Sequence, residues 1–459
     1  MARASTNTLI HDFTTGPVLS TLIAFTLPLF LSNLLQAIYS MVDMMVVGRV
    51  VGQAGLSGIS VGGDVLSLLT FLSMGFANAS QVILAQYIGA GLRERVSRFI
   101  GTMSSFLLLC AVSMSALCLL LRTPILKLLN TPAESWDQAM AYATTCIFGL
   151  VFIYGYNIVS AILRGMGDSK RPFLFIAIAA VLNLLLDLLF VVGLGLEAFG
   201  AALATVIAQS VSFLTAVIYL YRKRTQVGFD FSPGSFRIHR GELAILIKLG
   251  VPMAIRSGAI LFSKLFVNAW VNSYGVTVSA VSGVGNKLDT VSGLMGTAIS
   301  TAGSSIVGQN IGAGKYDRAR RILGCAFLLS GVCFSVMAAV VGFFPRTVFA
   351  FFTDEADVLA VCMEYVPVAL AAIAACSVRA PMNAFTTGCG NYLFNFAVAV
   401  MDGIVARVGL SLLFGRVLGL GYFGFWMGNA VSGCVPFLLG AAYYLSGRWK
   451  KPSRLIVDI

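Results

Sequence analysis

The chain reads as an all-α polytopic membrane protein of about twelve transmembrane helices, arranged as two homologous six-helix lobes around a central cavity. Composition, the spacing of apolar runs and an internal repeat predict this class. Of 459 residues 58% are hydrophobic and only 11% charged, with a mean hydropathy of +0.90. Soluble domains carry about one quarter charged residues, so the bilayer is the solvent here.

Crossing about 30 Å of hydrocarbon takes about 20 mainly apolar residues. Such runs lie near 19 to 47, 55 to 88, 96 to 121, 138 to 163, 172 to 193 and 199 to 221. Six more follow near 243 to 273, 278 to 311, 320 to 345, 358 to 386, 393 to 415 and 421 to 445. An even number of spans puts both termini on one side. The first run lacks a small-residue cleavage site, which argues for a retained segment rather than a signal peptide.

Basic residues set the orientation. On the side of the termini 20 of them are expected, among them Arg3, Arg93, Arg95, Arg171, Arg224, Lys315, Arg318, Lys450 and Arg454, against five opposite: Arg49, Arg122, Lys127, Arg346 and Arg416. Both termini, and the long connection near 222 to 242, are therefore expected in the cytoplasm. The same distribution explains the net charge of +12 without nucleic acid. The nine cysteines are odd in number and lack CxxC spacing, so neither disulfides nor a metal cluster is expected.

The repeat is direct. AQYIGAGLRERVSRFIG, with its motif from Gln86, returns as GQNIGAGKYDRARRILG from Gln309, an offset of 223. GMGD at Gly165 to Asp168 aligns with GCGN at Gly388 to Asn391 at the same offset, and Pro28 with Pro252 at 224. Two parallel six-helix copies follow, expected as lobes over 1–225 and 226–459 and related by an axis along the membrane normal. The Gly-rich motifs lack the GxxxxGK[ST] spacing of a phosphate loop and read as turns between spans.

Ionisable groups inside spans are rare and expensive, so each is a functional candidate. Asp43, Asp187 and Thr205 fall at similar depth, within about two turns of the outer ends of spans 1, 5 and 6. Asn183 and Asp187 share a helix face at i, i+4, as do Thr205 and Gln209. Carboxylate, amide and hydroxyl oxygens suit Na+, and two neighbouring carboxylates can share a proton reversibly. The expected coupling ion is H+ or Na+, with Na+ possible at Asp43, Asn183, Asp187 and Thr205 and no other cofactor. At aligned positions the second half has Val267, Ala406 and Leu410 or its neighbour, so it lacks this cluster. Instead it carries Arg256 and Lys264 on span 7, Arg379 on span 10 and Arg407 on span 11, with Asp402, Lys287 and Asp289 as possible partners. Arg256, Lys264, Arg407 and the aromatics Tyr39 and Tyr156 are candidates for a substrate cavity.

DFTTGP before span 1, SMVDMMVVGRVVG within it, GQNIGAGKYDRA and RGMGDSKRP resemble the multidrug and toxic compound extrusion family. NLLLDLLF and GAALATVIAQ resemble its DinF-like branch. The resemblance covers nearly the whole chain and departs at Asn391, where the family commonly has an acid. It implies cation coupling in the first lobe, with Asp43, Asn183, Asp187 and Thr205 at matching positions, and a structural ion pair between Lys287 and Asp289. The implied activity is secondary export: H+ or Na+ exchanged for a drug or organic solute by alternating access of two lobes. The expected setting is a bacterial plasma membrane, the expected partners a small-molecule substrate and the lipid bilayer, and the expected state a monomer. A flippase of lipid-linked precursors, from the related superfamily, is the alternative. An enzyme is not expected, because His11 and His239 both fall outside the spans and no nucleophile or metal constellation lies within them.

Overall fold

The structure is a computed structural model describing residues 10–451 and Leu455. Arg3 and Arg454, counted in the charge asymmetry, lie outside the described residues. No strand occurs among the described residues, and twelve long helical segments follow one another. They are α1 (Val18–Val50), α2 (Gly52–Gly89), α3 (Arg93–Leu128), α4 (Ala133–Gly165), α5 (Lys170–Gly193) and α6 (Glu197–Arg222). The second set is α7 (Arg240–Asn272), α8 (Val276–Gly312), α9 (Tyr316–Phe343), α10 (Ala356–Gly388), α11 (Tyr392–Val417) and α12 (Gly421–Leu445). Eleven are both long and apolar enough to cross a membrane. The exception is α8, whose 37 residues are long enough but rich in Gly, Ser and Thr.

Contacts divide the chain into two compact units. The first holds Leu31–Gly250 with the described residues up to Asp12; the second holds Phe13–Phe30 and the chain from Val251 onward. This differs from a single cut after residue 225 at both repeat-related helices, α1 and α7, each of which changes unit near its internal proline, Pro28 or Pro252.

Hydrogen bonds give the physical reason. In the first unit the connection leading into α7 is folded around Phe229, whose ring packs 4.9 Å from Phe231 and 5.2 Å from Phe236. Ser105 Oγ donates to the Phe236 carbonyl at 2.6 Å, the His239 N–H to Thr102 at 3.1 Å, and Tyr87 Oη to Glu242 at 2.7 Å. Beside that cluster, the Ser235 hydroxyl and the Ser232 N–H hold the Asp230 carboxyl below its usual range. In the second unit the segment leading into α1 is held the same way. Asn310 Nδ2 donates to the Phe13 carbonyl at 3.1 Å, Arg318 Nε to the same carbonyl at 3.0 Å, and Lys315 Nζ to Thr14 at 2.9 Å. Tyr87 belongs to the first copy of the repeated motif, and Asn310, Lys315 and Arg318 to the second. The motif's glycines Gly91 and Gly314 take φ of +73° and +69°, the left-handed turn that ends α2 and α8.

Within the units, helices approach on small residues, as in a bilayer where packing replaces the hydrophobic drive. A Cβ on Gly149 would lie 2.4 Å from Val206, and one on Gly285 2.4 Å from Tyr365. Leu120, Leu128, Phe148, Phe343 and many other large apolar side chains remain exposed. A soluble surface would not carry so many, whereas lipid accepts them.

Candidate functional site

The first unit gathers the polar residues of α1, α5 and α6. Asp43, Asn183 and Asp187 are 6%, 3% and 1% exposed. Asn183 Nδ2 donates to Thr205 Oγ1 at 3.4 Å, joining α5 to α6. A cavity of about 10 Å³ lies against Asn183 and Thr205, lined also by Tyr39, Ala179, Ala208 and Gln209, with neither acid in its wall. That is about the volume one water-sized particle needs.

Asp43 Oδ1 and both oxygens of Asp187 are buried without a hydrogen-bond partner. Among the described residues no basic side chain lies within ion-pair distance of either acid. The two carboxyl groups interact with each other. Buried carboxylates without a donor are costly, so these oxygens are suited to a proton or a small cation.

The helix around Asp187 is locally unusual. It is the last α-helical residue of its segment, and Leu188–Gly193 continues as a π turn. Such insertions recur at functional sites, because the wider turn shifts side chains out of ordinary register. Tyr39, expected in a substrate cavity, instead lines the cavity beside Asn183 and Thr205, one helical turn before Asp43 on α1. Ala179 and Ala208 also line it and were not expected. Their signal was spacing, since Ala179 precedes Asn183 by one turn and Ala208 follows Thr205 by nearly one.

Tyr156 is placed differently from its expectation: it is 7% exposed and its hydroxyl donates to the Pro172 carbonyl at 3.0 Å, tying α4 to α5. The expected Lys287–Asp289 pair is absent. Residues i and i+2 on a helix do not face each other, and Asp289 instead lies 3.8 Å from Lys264 Nζ, while Lys287 stands over the Phe352 ring at 5.8 Å.

The second unit builds a site of opposite charge. Asp402, fully buried on α11, accepts from Arg256 Nη2 at 3.2 Å on Oδ2, while Oδ1 lies 3.6 Å from Arg407 Nη2, an ion pair without a hydrogen bond. Arg256 Nη2 also donates to Asn383 at 3.1 Å, and Arg407 Nη1 to Asn429 at 2.7 Å. Arg407, 3% exposed, supports Asp402 from within the packing. Asn383 and Asn429 were not expected; unlike Asn183, neither has an acid one helical turn away to single it out.

Two duplicated six-helix units, each with polar groups sunk in its spans, define a polytopic transporter. A family model, MatE, matches residues 28–189 and 252–413, once in each half and beginning at each of the two aligned prolines. The "Probable multidrug resistance protein YpnP" of Bacillus subtilis (strain 168) is 30% identical over 444 residues, covering 96% of this chain and 98% of that protein. The "FAD transporter" of Shewanella oneidensis is 24% identical over 360 residues, 76% of this chain and 77% of that one. A solved outward-facing multidrug resistance MATE family transporter superposes with a TM-score of 0.89 at 20% identity, covering 97% of this chain and all of that one.

The chain belongs to the MatE family, the multidrug and toxic compound extrusion transporters. It is a multi-pass membrane protein of a family whose activity is transport rather than catalysis.

Proposed function

We propose that the chain is a cation-coupled antiporter of the cell membrane that exports a small organic molecule by alternating access of its two units, acting as a monomer with both termini in the cytoplasm. The carrying observation is the set of buried, donor-less oxygens of Asp43 and Asp187, one helical turn from Tyr39 and Asn183, which line a cavity of about 10 Å³ with Thr205. H+ or Na+ entering that set from outside neutralises the carboxylates. If the cation and the cargo favour opposite states of the protein, each promotes release of the other, as linkage requires. Relatives named for multidrug resistance and for FAD transport support a small organic cargo.

The test is uphill efflux from proteoliposomes with Na+ and proton gradients imposed separately, using a panel of labelled organic cations and anions. In the wild type one gradient drives export. Asp43→Asn and Asp187→Asn each reduce that coupling at least tenfold, while downhill exchange of cargo persists. Transport that ignores both gradients, or keeps its coupling in both variants, removes the antiport reading.

A further inference from the structure

The second unit's spans hold more positive charge than they can neutralise. Among the described residues, Arg256, Lys264, Arg379 and Arg407 face two carboxylates, Asp289 and Asp402. Asp402 is hydrogen-bonded to Arg256 and lies within ion-pair distance of Arg407 at 3.6 Å, and Asp289 lies within ion-pair distance of Lys264 at 3.8 Å, so two carboxylates are spread over three of the four cations. The Arg379 guanidinium has as its hydrogen-bond acceptor the Cys376 sulfur, at 3.7 Å.

The cluster is linked across three helices. Arg256 reaches Asn383, which sits one turn beyond Arg379 on the same face of α10. Lys264 lies within electrostatic reach of Arg379, Arg407 and Asp289 together. Two of the cations keep access: the side chains of Arg256 and Lys264 are 20% and 33% exposed. Every protein bond of Arg256 runs through Nη2, so Nε and Nη1 carry none.

Uncompensated charge in a span is expensive and is kept where it serves a ligand. The free N–H groups of Arg256 and, about 12 Å further along α7, the Lys264 ammonium near Arg379 offer donors suited to the planar oxygens of a carboxylate or the three oxygens of a phosphate. Asp402 already shows which chemistry the arginines accept. We infer that Arg256, Lys264 and Arg379 form a binding site for a carboxylate or phosphate group of the transported molecule, making the cargo an organic anion or a zwitterion. Asp402 and Arg407 act as positioning residues that hold Arg256 in place. The inference rests on the antiporter reading and specifies its substrate class.

The experiment measures equilibrium binding to the purified full-length protein in detergent, by fluorescence anisotropy, with carboxyfluorescein as the anionic probe and ethidium as the cationic one. Carboxyfluorescein is expected to bind at least tenfold more tightly than ethidium. Lys264→Gln and Arg379→Gln each weaken it about tenfold, Lys264→Arg restores it, and Arg320→Gln, outside the cluster, leaves it unchanged. Thermal unfolding verifies that each variant is folded.

Ethidium binding as tightly as carboxyfluorescein, or anion binding insensitive to both glutamine variants, overturns the inference. Competition separates two sources of the anion: displacement by citrate marks a soluble organic anion, and displacement by short-chain phosphatidate alone marks a lipid headgroup. Asp187→Asn is expected to keep anion binding while losing gradient coupling. Ethidium export that remains coupled in a protein without the anion preference would therefore sink this inference and leave the antiporter standing.

Discussion

The fifth helix of each unit, α5 and α11, descends from one ancestral helix yet carries opposite electrostatics. Both end in a π turn, Leu188–Gly193 in α5 and Leu413–Val417 in α11, at closely aligned positions. Only α11 has a second one, Met401–Ala406, and it contains Asp402. At the repeat offset of 223 the residue aligned with Asp402 is Ala179, which lines the small cavity of the first unit. One backbone position thus makes room beside Asn183 and Thr205 in one copy and presents a carboxylate to two arginines in the other. Duplication preserved the helical frame and let side chains choose the charge of the site. The acid in α11 lies eight residues before the position aligned with Asp187, about 12 Å along the helix.

That contrast is sharpest when each acid is removed. Asp402→Ala leaves the buried Arg407 and the partly exposed Arg256 without their shared counter-charge, and breaking a buried pair costs about 3–5 kcal/mol. A large fall in thermal unfolding temperature is expected. Asp187→Asn removes a buried carboxyl that has no protein donor, so stability should hold or rise while gradient-driven transport is lost. Equal destabilisation by the two substitutions would mean that both acids are structural, and the comparison would fail.

Next in size is the small cavity itself. Ala179→Leu fills a space of about 10 Å³ beside Asn183 and Thr205. Overpacking costs about 1–3 kcal/mol, and the added methyls stand where a cation would pass. Coupled transport should fall at least tenfold, with a smaller drop in unfolding temperature than for Asp402→Ala. Undiminished coupling in a folded variant would place the cation pathway elsewhere.

Much of this frame was legible in the sequence because bilayer thickness and the cost of buried charge leave few choices. Twelve runs became twelve long helical segments, and Asp43, Asn183, Asp187 and Thr205 came together from three helices as their depth and spacing predicted. Tyr156 and the Lys287–Asp289 pair did not follow their expectations. Both depend on which way a side chain leaves its helix, which periodicity in a span buried on many sides does not encode. The exchange of the leading parts of α1 and α7 was hidden for another reason. It is fixed by hydrogen bonds between residues far apart in sequence, such as Asn310 to Phe13 and Tyr87 to Glu242.

Those two clasps give the smallest effect and the finest test of the repeat. Tyr87→Phe removes one buried hydrogen bond to Glu242 in the first unit, worth about 1 kcal/mol, and leaves that carboxylate short of a donor. Arg318→Gln removes the charged bond from Nε to the Phe13 carbonyl in the second unit, on a half-buried side chain. If the repeated motif does the same work in both copies, each variant should lower the unfolding temperature by a few degrees and speed hydrogen exchange in the segment it holds. For Tyr87→Phe that segment is around residues 235–242; for Arg318→Gln it is around residues 13–18. Faster exchange confined to one of the two segments, whichever variant is made, would show that the copies have diverged in their clasps as they have in their charges.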